Sequence, residues 1–188
     1  MVYSLRLVLI GTVFVASARA ELQLTPRVDE FELDGAKLKQ LAFPDGDRKV
    51  TYQSPRGWDY SGSATQLTLR PPKKAQASAT ITRIPLSETG AFDDQSLKKL
   101  VAEATALAPK GSTNVTVVSQ EKNPLRINRK ETFLVILSYD FYGENYSRSI
   151  LFLNRDKEQI RFQLTSRQSD FNELQKAFLS SQYSWHNL

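Results

Sequence analysis

The stretch Thr132–Tyr142 constrains the fold of this chain more than any other, because it is apolar on both faces. Strand geometry sends alternate side chains to opposite sides. Phe133, Val135, Leu137 and Tyr139 therefore share one face, and Leu134 and Ile136 the other. Such a strand needs cover above and below and belongs near the centre of a sheet. Two amphipathic helices offer that cover. One is expected over 94–108, capped by Asp93 or Asp94, with Leu97, Leu100, Val101, Ala104 and Leu107 along one side. Pro109-Lys110-Gly111 stops it. The second is expected over 170–183. It opens with Asp170-Phe171-Asn172-Glu173, a capping-box variant, and its stripe is Phe171, Leu174, Phe178 and Leu179, with Tyr183 and Trp185 packing at its end.

Further strands surround the central one. Lys49–Ser54 precedes the break at Pro55-Arg56-Gly57, and Trp58 starts another extended stretch. Thr65–Arg70 ends at Pro71-Pro72 and Ala79–Ile84 at Pro85, since proline cannot donate to a ladder. Val115 and Val117 lie in the strand after the first helix. Gly143-Glu144-Asn145 connects to Tyr146–Leu153, and Asn154-Arg155-Asp156-Lys157 turns the chain into Glu158–Thr165. Short connections make these pairings antiparallel. The expected class is α+β: an antiparallel sheet flanked by helices on opposite faces, an α/β/α sandwich. Residues 21–46 carry a weaker pattern and read as an N-terminal extension with one short strand around Val28, Phe31 and Leu33. With no internal repeat or linker, residues 47–188 read as one domain.

Residues 1–20 read as a secretory leader. Arg6 supplies the positive start, Leu7–Ala16 the apolar run, and Ala18-Arg19-Ala20 a cleavage site before Glu21. A run of that length is too short for a bilayer, which needs about 20 residues. With no cysteine there is no lipoprotein anchor. Without Arg6 and Arg19, 23 basic side chains face 20 acidic ones. Both signs are interleaved, so nucleic acid is not an expected partner. Zero cysteines also exclude disulfides, thiolate nucleophiles, zinc–thiolate sites and iron–sulfur clusters. The compartment is expected to be the bacterial periplasm or exterior. The glycosylation triplets Asn114-Val115-Thr116 and Asn145-Tyr146-Ser147 are read as unused.

Few residues offer chemistry. His186 is the one histidine and sits near the end of the chain, so neither a metal site nor an imidazole base is expected. No P-loop, GxGxxG or GxSxG motif occurs, and no cofactor is expected. Asp140 and Glu144 are the carboxylates to weigh as an acid–base pair. The simpler account makes Asp140 a residue at the emerging end of its strand and Glu144 a turn residue. Tyr139, Phe141, Tyr142 and Tyr146 crowd the same hairpin near Arg148. Tyr142, Tyr146 and Arg148 form the candidate interaction surface, since tyrosine and arginine are favoured at binding hot spots. Cross-strand tyrosine pairs also stabilise hairpins with no partner at all. Lys73-Lys74 and the Arg126–Lys130 run read as solvated loop charge, with contact to acidic lipid headgroups as the alternative.

Pro55-Arg56-Gly57-Trp58, the strand pair ending near Pro85 and the helix at 94–108 come in a familiar order. The meander from Glu131 to Ser166 and the closing Phe171…Phe178…Tyr183-Ser184-Trp185 helix complete it. Over 47–186 this order resembles the PsbP-like family, which includes the extrinsic PsbP proteins of photosystem II and, more distantly, the Mog-type Ran-binding proteins. The resemblance implies an antiparallel sheet flanked by helices and a binding or assembly role without catalysis. The photosystem role does not follow, because the leader has the form of a simple export signal. The expected function is that of an exported soluble binding or assembly factor, not an enzyme. A carboxylate-dependent envelope hydrolase is the alternative.

Overall fold

In the computed structural model, residues 21–88, 90–155 and 157–188 are described. The leader expected over residues 1–20 lies outside them. Among the described residues the strands form two antiparallel sheets. The larger contains β4 (Asp59–Gly62), β5 (Gln66–Arg70), β6 (Ser78–Pro85), β7 (Thr113–Lys122), β8 (Thr132–Phe141), β9 (Glu144–Arg155) and β10 (Glu158–Arg167), in the order β4-β5-β6-β10-β9-β8-β7. The smaller holds β1 (Arg27–Leu33), β2 (Ala36–Asp45), β3 (Arg48–Tyr52) and β11 (His186–Asn187), in the order β1-β2-β3-β11. The helices are α1 (Asp94–Ala106) and α2 (Gln168–Gln182).

The class is α+β, as the sequence implies. A single sheet was expected, however, and the second sheet is a correction to the sandwich layout. Phe133, Val135 and Leu137 of β8 join Ile150 and Phe152 of β9 under Leu100 and Ala104 of α1. The alternate residues, Leu134 with Leu151 and Leu153, belong to the core that holds Phe171, Leu174 and Phe178 of α2. That second core also takes Leu41, Phe43, Val50 and Tyr52 from the small sheet. Helix α2 therefore shares its face of the large sheet with strands from the opposite end of the chain.

Trp185 is the joint between the two sheets. It is fully buried, stacked on Phe43 at 5.8 Å, tilted against Tyr52 at 5.9 Å and edge-on to Phe162 of β10 at 5.2 Å. Burying an aromatic of this size removes about 150–250 Å² from water, worth about 4–6 kcal/mol at the usual area coefficient. Tyr52 adds a hydrogen bond with Ser181 at 2.7 Å, and Trp58 stacks on Phe178 at 6.2 Å. Residues 21–46 contribute Leu22, Leu24, Leu41 and Phe43 to the same core, and the expected boundary at 46/47 falls in the turn between β2 and β3.

The helix termini differ in how well the sequence described them. Asp93 caps α1 by accepting from the Ser96 amide at 2.7 Å. Helix α2 starts earlier than its capping-box signal implied. Arg167 occupies the cap position with no side-chain hydrogen bond, and Asp170 lies inside the first turn. There the carboxylate accepts from Lys74 at 2.6 Å, so Lys74 is an ion-pair partner rather than a solvated loop charge. An acid in the first turn complements the helix dipole wherever the cap lies. Tyr183 is exposed, whereas Trp185 is the residue that packs.

Candidate functional site

The β8–β9 hairpin closes through Tyr142 (φ 49°) and Gly143 (φ 77°), between the paired residues Phe141 and Glu144. Two successive left-handed residues make a type I′ turn, whose twist matches that of the strands it joins. Glycine takes this conformation without strain, and asparagine or aspartate with little. A bulky aromatic at the first position breaks that rule. Tyr142 is nonetheless 91% exposed, its ring edge-on to Phe141 at 4.4 Å. Its placement serves neither the turn nor the core.

Register sets what lies beneath it. Tyr139 pairs directly with Tyr146 across the ladder, and their rings stack at 5.9 Å with 11° between planes. Phe141 meets Tyr146 edge-on at 6.3 Å, and the Tyr146 hydroxyl donates to Gln76 Oε1 at 3.3 Å. The rings thus run from buried Tyr139, through half-buried Phe141 and Tyr146, to exposed Tyr142.

Arg148 lies one pleat deeper on the same face and is only 8% exposed. It donates to the Leu107 carbonyl at the end of α1 and, through Nε, to Thr165 Oγ1 at 2.8 Å. Its guanidinium lies over the Tyr139 ring at 5.6 Å. Burial lowers the Arg148 pKa, with Tyr139 opposing the shift. Burial likewise raises that of Tyr139, and Arg148 opposes it. Arg148 supports the aromatic tip from below rather than facing solvent. Helix α1 has no basic residue in its last turn, and Arg148 supplies that charge from the sheet. That missing base was the signal sequence reading overlooked.

Asp140 sits on the other side of β8. It accepts from Asn114 Nδ2 at 2.6 Å and from Asn145, its cross-strand partner. Glu144 pairs with Arg167 at 3.3 Å. Each carboxylate therefore has its own partner. His186 is exposed on β11 opposite Thr51. Among the described residues no group of three or more acids or histidines is placed to hold a metal ion, and no helix is long and apolar enough to cross a membrane. In the Arg126–Lys130 run, Ile127 is buried and bridges to Lys130 across a turn in which Asn128 and Arg129 are left-handed.

No family model matches this chain, and no curated protein sequence matches it. Among solved structures it is similar to the Pseudomonas aeruginosa protein of unknown function PA94. That likeness has a TM-score of 0.47 at 16% identity, over 83% of this chain and 94% of that one. It is also similar to cyanobacterial PsbP from Synechocystis sp. PCC 6803, with a TM-score of 0.47 at 11% identity over 96% of this chain and 98% of that one. The family whose pattern the sequence resembles is thus represented among its structural neighbours. Likeness at this level transfers no function.

Proposed function

We propose that this protein is an exported, non-catalytic binding or assembly factor that engages its partner through the aromatic tip of the β8–β9 hairpin. The observation that carries the reading is Tyr142, 91% exposed at a left-handed turn position where an aromatic is unfavourable. Local strain at an exposed side chain points to use rather than to stability. Phe141 and Tyr146 extend the apolar contact, and the Arg148–Tyr139 layer makes it rigid, which lowers the entropy lost on binding. Asp140 and Glu144, each held by partners on its own side, support a binding reading over a hydrolytic one.

The test is affinity capture from the envelope fraction with the native protein and with Tyr142→Asn, which preserves the turn. The native protein should retain a partner that the variant loses, with no loss of stability in the variant. Equal capture by both would overturn the role of the tip. Asp140→Asn should leave capture intact, whereas loss of a cellular activity in that folded variant would favour the hydrolase. N-terminal sequencing of the exported form should begin at Glu21. A retained leader sinks the export part of the proposal.

A further inference from the structure

The β1–β2 hairpin is patterned to be covered on a face that nothing among the described residues covers. Pairing places Phe31 opposite Leu38 and Leu33 opposite Ala36 on one side, and Glu30 opposite Lys39 and Glu32 opposite Lys37 on the other. The charged side of the arm is continuous with Leu41 and Phe43, which face the core at its base. The apolar pattern of β2 therefore changes phase between Leu38 and Leu41. At the base the apolar residues point inward, and beyond it they point out. Leu33 is 55% and Leu38 39% exposed.

Two further features say what fits there. The arm ends in the acidic turn Asp34-Gly35, both residues left-handed. At its base an open depression of about 370 Å³ is lined by Arg27, Arg48 and Lys49, with Asp29 holding Lys49 at 2.7 Å. From Arg27 to Leu33 the arm spans about 20 Å at the usual rise per residue. A two-fold axis near Phe31 would lay two arms face to face and antiparallel. Each apolar strip then covers the other, and each acidic turn reaches the partner's basic depression. Such a contact is self-complementary, as a two-fold interface requires.

We infer that this protein forms a homodimer through the outer face of the β1–β2 arm, with Asp34 of each copy against Arg27 of the other. Edge-to-edge pairing of two β1 strands is disfavoured, because a two-fold axis at Phe31 would set Glu30 of each copy opposite Glu32 of the other. An anionic lipid surface is disfavoured too, since the four acids Asp29, Glu30, Glu32 and Asp34 outnumber the three bases Arg27, Lys37 and Lys39 along the arm.

Sedimentation of the purified protein over a concentration series should show a monomer–dimer equilibrium. Phe31→Lys should weaken it by about tenfold or more, as loss of a central anchor does, with the melting midpoint unchanged. Asp34→Asn, which keeps the turn, should weaken it less. Asp34→Lys and Arg27→Glu should each be monomeric alone and dimerise when mixed, because both tip-to-base contacts of the mixed dimer are then attractive. A native protein that stays monomeric overturns the proposal. So does a dimer indifferent to these substitutions, or a monomer that binds phosphatidylglycerol vesicles through Phe31.

Discussion

One face of the seven-stranded sheet is covered by α1, a helix that enters the chain between β6 and β7 and packs on the neighbouring β8 and β9. The other face is closed by both ends of the described chain, with Leu22 to Tyr52 and Phe171 to Trp185 meeting over β6, β9 and β10. The first cover is thin and pinned by side chains, with Arg148 on the Leu107 carbonyl and Arg161 on Glu103. The second is deep and aromatic, and ion pairs rim it: buried Arg155 pairs with Asp45 and Glu158, and buried Arg83 with Glu158 and the exposed Glu21. Closing the second face brings distant segments together and costs more chain entropy, which a large apolar core offsets. The difference teaches that one sheet can be held by burial on one side and by directed polar contacts on the other.

That contrast is sharpest when each face is cut in turn. Phe178→Ala removes a fully buried ring stacked on Trp58 and should destabilise by about 3–5 kcal/mol in denaturant melts. Leu100→Ala on the thinner face should cost less, about 2–3 kcal/mol, because Leu97, Val101 and Leu107 are near enough to close over the gap. Equal losses, or losses below about 0.5 kcal/mol as at surface sites, would erase the distinction. Arg148→Met keeps the aliphatic packing but strips the Leu107 carbonyl and Thr165 of their donor. It should cost about 1–3 kcal/mol and speed hydrogen exchange in the last turn of α1 before that of α2. Uniform exchange in both helices would show that Arg148 is not a local pin.

The charged rim gives a pH test. Burial, with Asp45 and Glu21 adding to it, raises the Glu158 pKa above its ordinary 4.5 despite Arg155 and Arg83. A carboxyl whose folded pKa is the higher one contributes stability that is full below about 4.5 and lost as pH rises through the raised value. Glu158→Gln should remove that part of the slope in melts across the acid range, whatever it does to the absolute level. Identical slopes would refute the assignment. The smallest effect belongs to Tyr142→Asn, which relieves an aromatic at positive φ and should leave stability unchanged or raised by up to about 1 kcal/mol. A clear loss would make Tyr142 structural after all.

Much of this was legible in the sequence because the signals are local. The two-faced β8, the helical stripes and the proline stops depend only on near neighbours, and they appear in the structure within a few residues of their expected bounds. The crowding of aromatics at the hairpin was equally legible but its register was not: the turn was expected at Gly143-Glu144-Asn145 with Tyr142 near Tyr146, whereas it closes at Tyr142-Gly143 and pairs Tyr139 with Tyr146. Arg148 was not legible either, since a residue of β9 meets the end of α1 only after the helix has packed. The α2 capping box failed because Asp170 found Lys74, 96 positions away, and the helix gained a turn before it.

What the sequence by itself determined is which segments are strands and helices and which of their faces are apolar, because side-chain periodicity follows from backbone geometry alone. What only the tertiary structure decided is which apolar faces meet. Residues 27–52 pair with His186–Asn187 in a second sheet and share a core with Trp185, and the tip of the β1–β2 arm keeps its apolar side in solvent. Periodicity marks a face for burial but carries no record of its partner, and that partner is chosen by the total apolar area the folded chain can remove from water.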